Sequence, residues 1–158
     1  MLTLRKATIQ DCELYYQWAN DPLVRAQSYN TSAIDYDSHT KWFNERISDP
    51  DFCFYIFQNE LQQNVGQVRI TKDKEDSAII GISVDNMHRG KAYAALILSM
   101  ASNNFLTENP GCIIYAYIKD SNHASIHSFI KAGFIFEKKL IYQQEPSVLY
   151  IKTIQQCK

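Results

Sequence analysis

Ile82-Ser83-Val84-Asp85-Asn86-Met87-His88-Arg89-Gly90-Lys91-Ala92-Tyr93-Ala94-Ala95-Leu96 decides the reading of this chain. A β-branched strand ends at Val84, a short turn follows, and a basic segment of small residues opens a long helix. The first turn of a helix presents N–H groups with no internal partner, and the aligned peptide dipoles add partial positive charge. Gly90, Ala92 and Ala94 keep side chains out of the way, so a pyrophosphate can approach those amides closely. Arg89 and Lys91 add charge, one as a planar fork and the other as a point. The segment is built to hold a diphosphate, yet it contains neither GxxxxGK[ST] nor GxGxxG.

A second segment follows downstream: Asn122-His123-Ala124-Ser125-Ile126-His127-Ser128-Phe129-Ile130-Lys131-Ala132-Gly133-Phe134. Ser121 or Asn122 can cap a helix here, and Ile126, Phe129 and Ile130 fall on one face at helical spacing. Gly133 sits where a left-handed C-terminal residue is needed, and Phe134 begins the next strand.

Arg89-Gly90-Lys91-Ala92-Tyr93-Ala94 resembles the Arg/Gln-x-x-Gly/Ala-x-Gly/Ala signature of the GNAT superfamily of acyl-CoA-dependent N-acetyltransferases, with Ala92 in place of the usual central glycine. The second segment is similar to that family's Asn-x-x-Ser/Ala…Lys-x-Gly-Phe. The resemblance implies acetyl-CoA as co-substrate, with no metal. Its diphosphate would lie on Arg89, Gly90, Lys91, Ala92, Tyr93 and Ala94. Its pantetheine arm would bond like an added strand to Ile82 and Val84, with Asn122 and Ser125 touching it from the second segment.

The length agrees with one domain over residues 1–158, which the resemblance implies is a single N-acetyltransferase domain. Hydrophobic residues make up 46% and aromatics 13%, enough for a real core. A net charge of −1 excludes broad electrostatic binding to nucleic acid or to anionic membranes. Cys12, Cys53, Cys112 and Cys157 have no paired spacing, which argues against a zinc site or a disulfide framework. No apolar run reaches membrane-spanning length and no secretory pattern opens the chain, so a reducing cytoplasm is expected.

The periodicities predict the order β-α-α-β-β-β-α-β-α-β-β. Leu2–Arg5 reads as a strand and Thr8 with Asp11 as a capping-box variant opening a helix, which Asn20-Asp21-Pro22 stops. Leu23–Tyr36 reads as an ordered loop, and Ser38–Ile47 as a second helix. Strands follow at Phe52–Gln58, Val65–Thr71 and Ser77–Val84. The phosphate-side helix runs to about Asn104, and Cys112–Ile118 reads as a buried strand. Phe134–Tyr142 and Val148–Ile154 form a hairpin around Gln143–Pro146. The resemblance implies the same order: an α+β (α/β/α) fold, with a mostly antiparallel sheet of about seven strands flanked by about four helices. Exposed C-terminal strands leave room for a homodimer.

Thioester aminolysis needs a held donor, a deprotonated amine, a stabilised oxyanion and a leaving thiolate. His39 is the first candidate base, and Ser83, beside the thioester strand, a group that orients water. His88 borders the phosphate turn in a structural role, while His123 and His127 read as helix-surface residues. Many family members place a tyrosine acid where this chain has Phe129; Ser128 and Tyr142 are the substitutes. A thiol's ordinary pKa of about 8.5 makes the thiolate a tolerable leaving group without one.

Trp18-Ala19-Asn20-Asp21-Pro22…Arg25…Ser28…Ile34…His39…Trp42-Phe43 is similar to the acceptor side of nucleotide-amino-sugar N-acetyltransferases of the pseudaminic acid pathway, and Gly66-Gln67-Val68-Arg69 fits that subgroup. The resemblance implies a UDP-linked 4-amino sugar as acceptor, with Arg25 and His39 facing the nucleotide and Gln67 and Arg69 lining the pocket. The ribosomal-protein N-terminal acetyltransferase branch shares the second segment and is the rival enzyme reading. A catalytically silent CoA-binding module is the rival outside enzymes. Acceptor identity, acyl length and oligomeric state are beyond the sequence.

Overall fold

In the computed structural model, which describes residues 1–156, seven strands form one sheet in the order β1-β2-β3-β4-β5-β7-β6. They are β1 (Thr3–Lys6), β2 (Phe52–Gln58), β3 (Asn64–Lys74), β4 (Ser77–Val84), β5 (Ile113–Lys119), β6 (Ile135–Tyr142) and β7 (Glu145–Lys152). Every neighbouring pair is antiparallel except β4 with β5. Cys157 lies outside the described residues.

Strand alternation divides the side chains between two cores. Val68, Ile70, Ile80, Ile114 and Ile118 turn to one face, where they pack with Ile97, Leu98, Phe105 and Phe129. The latter come from α4 (Tyr93–Glu108) and α5 (His123–Lys131). Phe54 and Ile56 turn to the other face and pack with Tyr15, Trp18 and Phe43, of α1 (Cys12–Ala19) and α3 (Tyr36–Arg46). Gly66 on β3 is crowded from two sides: a Cβ there would sit 2.7 Å from the Ser83 carbonyl oxygen of β4 and 3.1 Å from Ile97 Cδ1 of α4. Only glycine fits between the neighbouring strand and the helix.

Local signals are realised as chemistry. Thr8 N–H donates to Asp11 Oδ2 at 2.7 Å, and Arg5 grips both oxygens of Asp11 at 2.8 Å, tying β1 to the one-turn 3-10 helix Ile9–Asp11 ahead of α1. Asn122 caps α5 by accepting from Ser125 N–H, and Gly133 follows its end at φ 91°. Gln143 and Gln144, at φ 47° and 69°, turn the β6–β7 hairpin.

Four expectations are corrected. The stretch read as a loop from Leu23 contains a fifth helix, α2 (Pro22–Gln27). Asp21 accepts from Leu23 and Val24 N–H and Pro22 takes the first helical position, so the residues that end α1 also start α2. Helix α4 begins at Tyr93, not at the basic segment, because Gly90 (φ 74°) and Ala92 (φ 61°) hold that segment in left-handed turns. Ile130 is exposed while Phe129, one position earlier, is buried, so the inward face of α5 is narrower than the spacing suggested. Strand β5 alternates: Ile114, Ala116 and Ile118 are buried, whereas Tyr115, Tyr117 and Lys119 are half-buried on the opposite face.

Candidate active site

The sheet is parted at its centre. Strands β4 and β5 pair only over Ser77–Ile79 with Ile113–Tyr115, although β4 continues to Val84 and β5 to Lys119. The Asp76 carbonyl accepts from Ile113 N–H, whereas Asp85 N–H turns the other way, to the Val65 carbonyl on β3. Strand alternation therefore aims the main-chain groups of Ile80, Ile82 and Val84 into the gap. They form a strand edge inside a sheet, open to an extended amide-bearing ligand.

A cavity of about 1090 Å³ runs through this gap and reaches both faces. On the α4–α5 face its wall includes Arg89, Gly90, Ala92, Tyr93, Ala94, Asn122 and Ser125, the residues expected to hold the cofactor. Lys91 is exposed and is not part of the wall. The amides at the start of α4 lack helical partners, and Gly90 and Ala92 before them carry no bulky side chain, so a diphosphate fits there. Arg89 Nη2 donates to Asp21 Oδ1 at 2.7 Å. Burial pushes the Asp21 carboxyl up, but this guanidinium and the two capping N–H groups outweigh it and hold it below its ordinary range. Asp21 thus joins the phosphate loop to the cap of α2, a link between positions far apart in sequence that no local signal announces.

On the α1–α3 face the cavity widens into a chamber walled by β3, β4, α3 and the segment after α2. Gln67 and Ser83 face each other across β3 and β4, and Gln67 Nε2 donates to Ser83 Oγ at 3.1 Å. Arg69 is on the same strand face, with Trp42 half-buried against its guanidinium. Arg25 also lines the chamber, but four of its five N–H donors are taken by the end of α1 and the loop after α2. They reach the carbonyls of Ala19 (2.6 Å), Asn30 (2.9 Å) and Ser32 (3.3 Å) and the Ser28 hydroxyl (3.1 Å). It shapes the wall instead of presenting a free charge. Tyr29, Tyr117 and Tyr142 close the far side, with Tyr117 and Tyr142 stacked at 3.9 Å. Arg25, Arg69, Arg89 and Lys119 line the whole cavity, and among the described residues no Asp or Glu does. Tyr29, Tyr117 and Lys119 carry no signal in a motif, although for the last two the alternation of Tyr115, Tyr117 and Lys119 with Ile114, Ala116 and Ile118 pointed to a second face.

His39 is buried in an aromatic box of Tyr16, Trp42 and Phe43. Its Nε2 lies 2.9 Å from the Cys12 carbonyl, so that nitrogen bears the proton and only Nδ1 can accept one. His88 contacts Asp85 and Gln63. Trp18 Nε1 donates to Asp85 Oδ2 at 2.9 Å, which fixes α1 to the end of β4. Phe129 is buried and lines the cavity, and its ring has no proton to give. The Ser128 hydroxyl donates to the Ala124 carbonyl, which leaves Tyr142 as the freer of the two substitute acids. His123 and His127 are exposed on α5.

The profile of the Acetyltransferase (GNAT) domain family matches residues 1–135. An uncharacterized protein of Methanocaldococcus jannaschii is 25% identical over 144 residues, which are 87% of this chain and 29% of that protein; the chain thus spans less than a third of this curated relative's length. A spermidine N-acetyltransferase of Vibrio cholerae, solved with CoA and spermine, superposes with a TM-score of 0.88 over 99% of this chain and 97% of its own, at 18% identity. An aminoglycoside acetyltransferase solved with coenzyme A and kanamycin gives 0.81 over 99% and 96%, also at 18% identity. Among the described residues no helix is long and apolar enough to cross a membrane, and no cluster of metal-ligating side chains forms. With most of its length under the family profile and the parted sheet in place, the chain belongs to the GNAT acetyltransferases, the N-acetyltransferase family that draws on acetyl-CoA.

Proposed function

We propose that the chain transfers an acetyl group from acetyl-CoA to the primary amine of a UDP-linked 4-amino sugar. The observation that carries this reading is a single cavity crossing the sheet at the parted strands, cofactor residues on one face and an acid-free chamber on the other. The structural relatives were solved with spermine and kanamycin, both polycations. A wall of arginines, lysine and tyrosines without carboxylates suits an anionic acceptor better.

In this reading the free edge of Ile82 and Val84 aligns the thioester, and a β4 N–H faces its carbonyl oxygen. The amine enters from the chamber past Gln67 and Ser83, loses a proton to Nδ1 of His39 or to a water held by Ser83, and attacks the thioester carbon. A C–N bond forms, the C–S bond breaks, and the thiolate takes its proton from water or Tyr142. Positioning supplies most of the acceleration, about 7–11 kcal/mol when the geometry is right.

The test is acetyl-CoA-dependent mass gain on UDP-4-amino-4,6-dideoxy sugar beside an N-terminal alanyl peptide. Acetylation of the sugar alone is expected. Acetylation of the peptide alone would move the chain to the protein N-terminal reading. CoA binding without transfer to either would favour the silent module.

A further inference from the structure

Five arginines occur in the chain, and four have their charge answered within the protein. Arg5 grips Asp11, Arg46 pairs with Asp49, Arg89 pairs with Asp21, and Arg25 is satisfied by four oxygens of its own loop. Arg69 differs. Among the described residues its guanidinium makes no hydrogen bond and no ion pair, although it lines the chamber and is half-buried. Its polar surroundings are the Trp42 ring, 5.4 Å from Cζ, the buried Tyr15 and a second cation, Arg25. Burial lowers its pKa, and Arg25 adds to that.

A guanidinium partly withdrawn from water without a counter-charge is unfavourable, and the Trp42 contact offsets only part of that. Such a group is an expensive way to fill a wall, and an apolar side chain would fill it better. The local construction also leaves space in front of it. Arg69 pairs across β3 and β4 with Gly81, and a Cβ there would already lie 3.8 Å from Arg69 Nη2. The fork thus extends over a glycine toward the parted strands.

We propose that Arg69 is the specificity-determining residue of the acceptor chamber and binds a phosphate of the acceptor, supplying the two-pronged donor that a phosphate's oxygens match. This rests on the reading that the thioester lies beside Ile82 and Val84. Ser83 is two residues beyond Gly81, about 7 Å along the strand. The anion held at Arg69 and the amine presented at Ser83 are separated by that span. An α-amino acid, whose carboxylate lies two bonds from its amine, cannot bridge it. An amine across a sugar ring from its glycosyl phosphate can. Arg25, which the resemblance places in this role, has four of its five N–H donors committed to protein oxygens and no two-pronged fork left to offer.

The experiment titrates uridine diphosphate into protein already saturated with CoA, so that the diphosphate site at α4 is filled, and compares wild type with Arg69→Met and Arg69→Lys. Losing a charge-assisted bidentate contact should weaken uridine diphosphate binding at least about tenfold in Arg69→Met, with Arg69→Lys between. CoA affinity should not change. Melting temperature separates binding from a structural role: a residue kept for a ligand can be replaced by an apolar isostere without loss, so Arg69→Met should melt no lower than wild type. Equal affinity of wild type and Arg69→Met, no binding to wild type, or a large fall in melting temperature would each overturn the proposal. Uridine diphosphate binding through Arg69 without transfer to the amino sugar would remove the proposed acceptor and keep the phosphate site. Transfer to the sugar undiminished by Arg69→Met would do the reverse.

Discussion

Ala92 illustrates what one residue contributes to the phosphate loop. It sits at φ 61° immediately before α4, a conformation costing an L-residue about 1–2 kcal/mol. Its side chain is exposed, so the stability of cofactor-free variants there reports on the backbone. Ala92→Gly removes the strain but adds about 0.5–1 kcal/mol of unfolded-state entropy, and the melting temperature should hardly move. Ala92→Val brings β-branching into the left-handed region and should cost about 1–3 kcal/mol while weakening acetyl-CoA binding. Thermal melts with and without cofactor check both; a valine variant as stable as wild type would contradict the strain. The turn at Gly90 and Ala92 and the cap at Asn122 depend on near neighbours, which is why small residues and a capping side chain mark them in the sequence. The settings of Arg25 and His39 were not marked in this way, since their partners depend on how a loop closes and on the Cys12 carbonyl, 27 positions away.

Between strand β1 and helix α1 the structure relies on one carboxylate. Asp11 takes two bonds from Arg5 and one from Thr8 N–H, and the Arg5 bond is the main reason its carboxyl titrates below the ordinary range. Because the folded value lies under the unfolded one, ionised Asp11 contributes stability above about pH 4, lost as pH falls through the folded value. Asp11→Asn should therefore lower the melting temperature at pH 7, by about 1–3 kcal/mol of stability. The gap from wild type should close in strongly acidic buffer; a gap independent of pH would mean that charge has no part. The Thr8 and Asp11 spacing made this start readable. Helix α2 was not, because Asn20-Asp21-Pro22 carries a stop and a start in the same three residues. The start of α4 was displaced for a related reason: small residues suit a helix and also suit the turns that precede one.

Across the whole molecule, the order of elements along the chain could be anticipated from periodicity, whereas a free edge on β4 was implied only by the resemblance and not by the residues. Strands β4 and β5 are regular in sequence through Val84 and Lys119, and nothing local says that pairing stops after Ile79 and Tyr115. Both strands pack their buried side chains against α4 and α5, contribute none to the α1–α3 core, and separate beyond Ile79 and Tyr115. The amides of Ile82 and Val84 are thereby left to the solvent in the middle of a sheet, where neighbouring strands shield theirs. In hydrogen–deuterium exchange they should behave like edge residues in the free protein and slow sharply when CoA is bound, while Val68 and Ile70 remain slow throughout. Exchange at Ile82 and Val84 that ignores CoA would place the pantetheine elsewhere. In that sense the polypeptide encodes an unfinished sheet. On the proposed reading the thioester completes it, so its supply would set not only the rate of the enzyme but how much of the protein's own centre is folded shut.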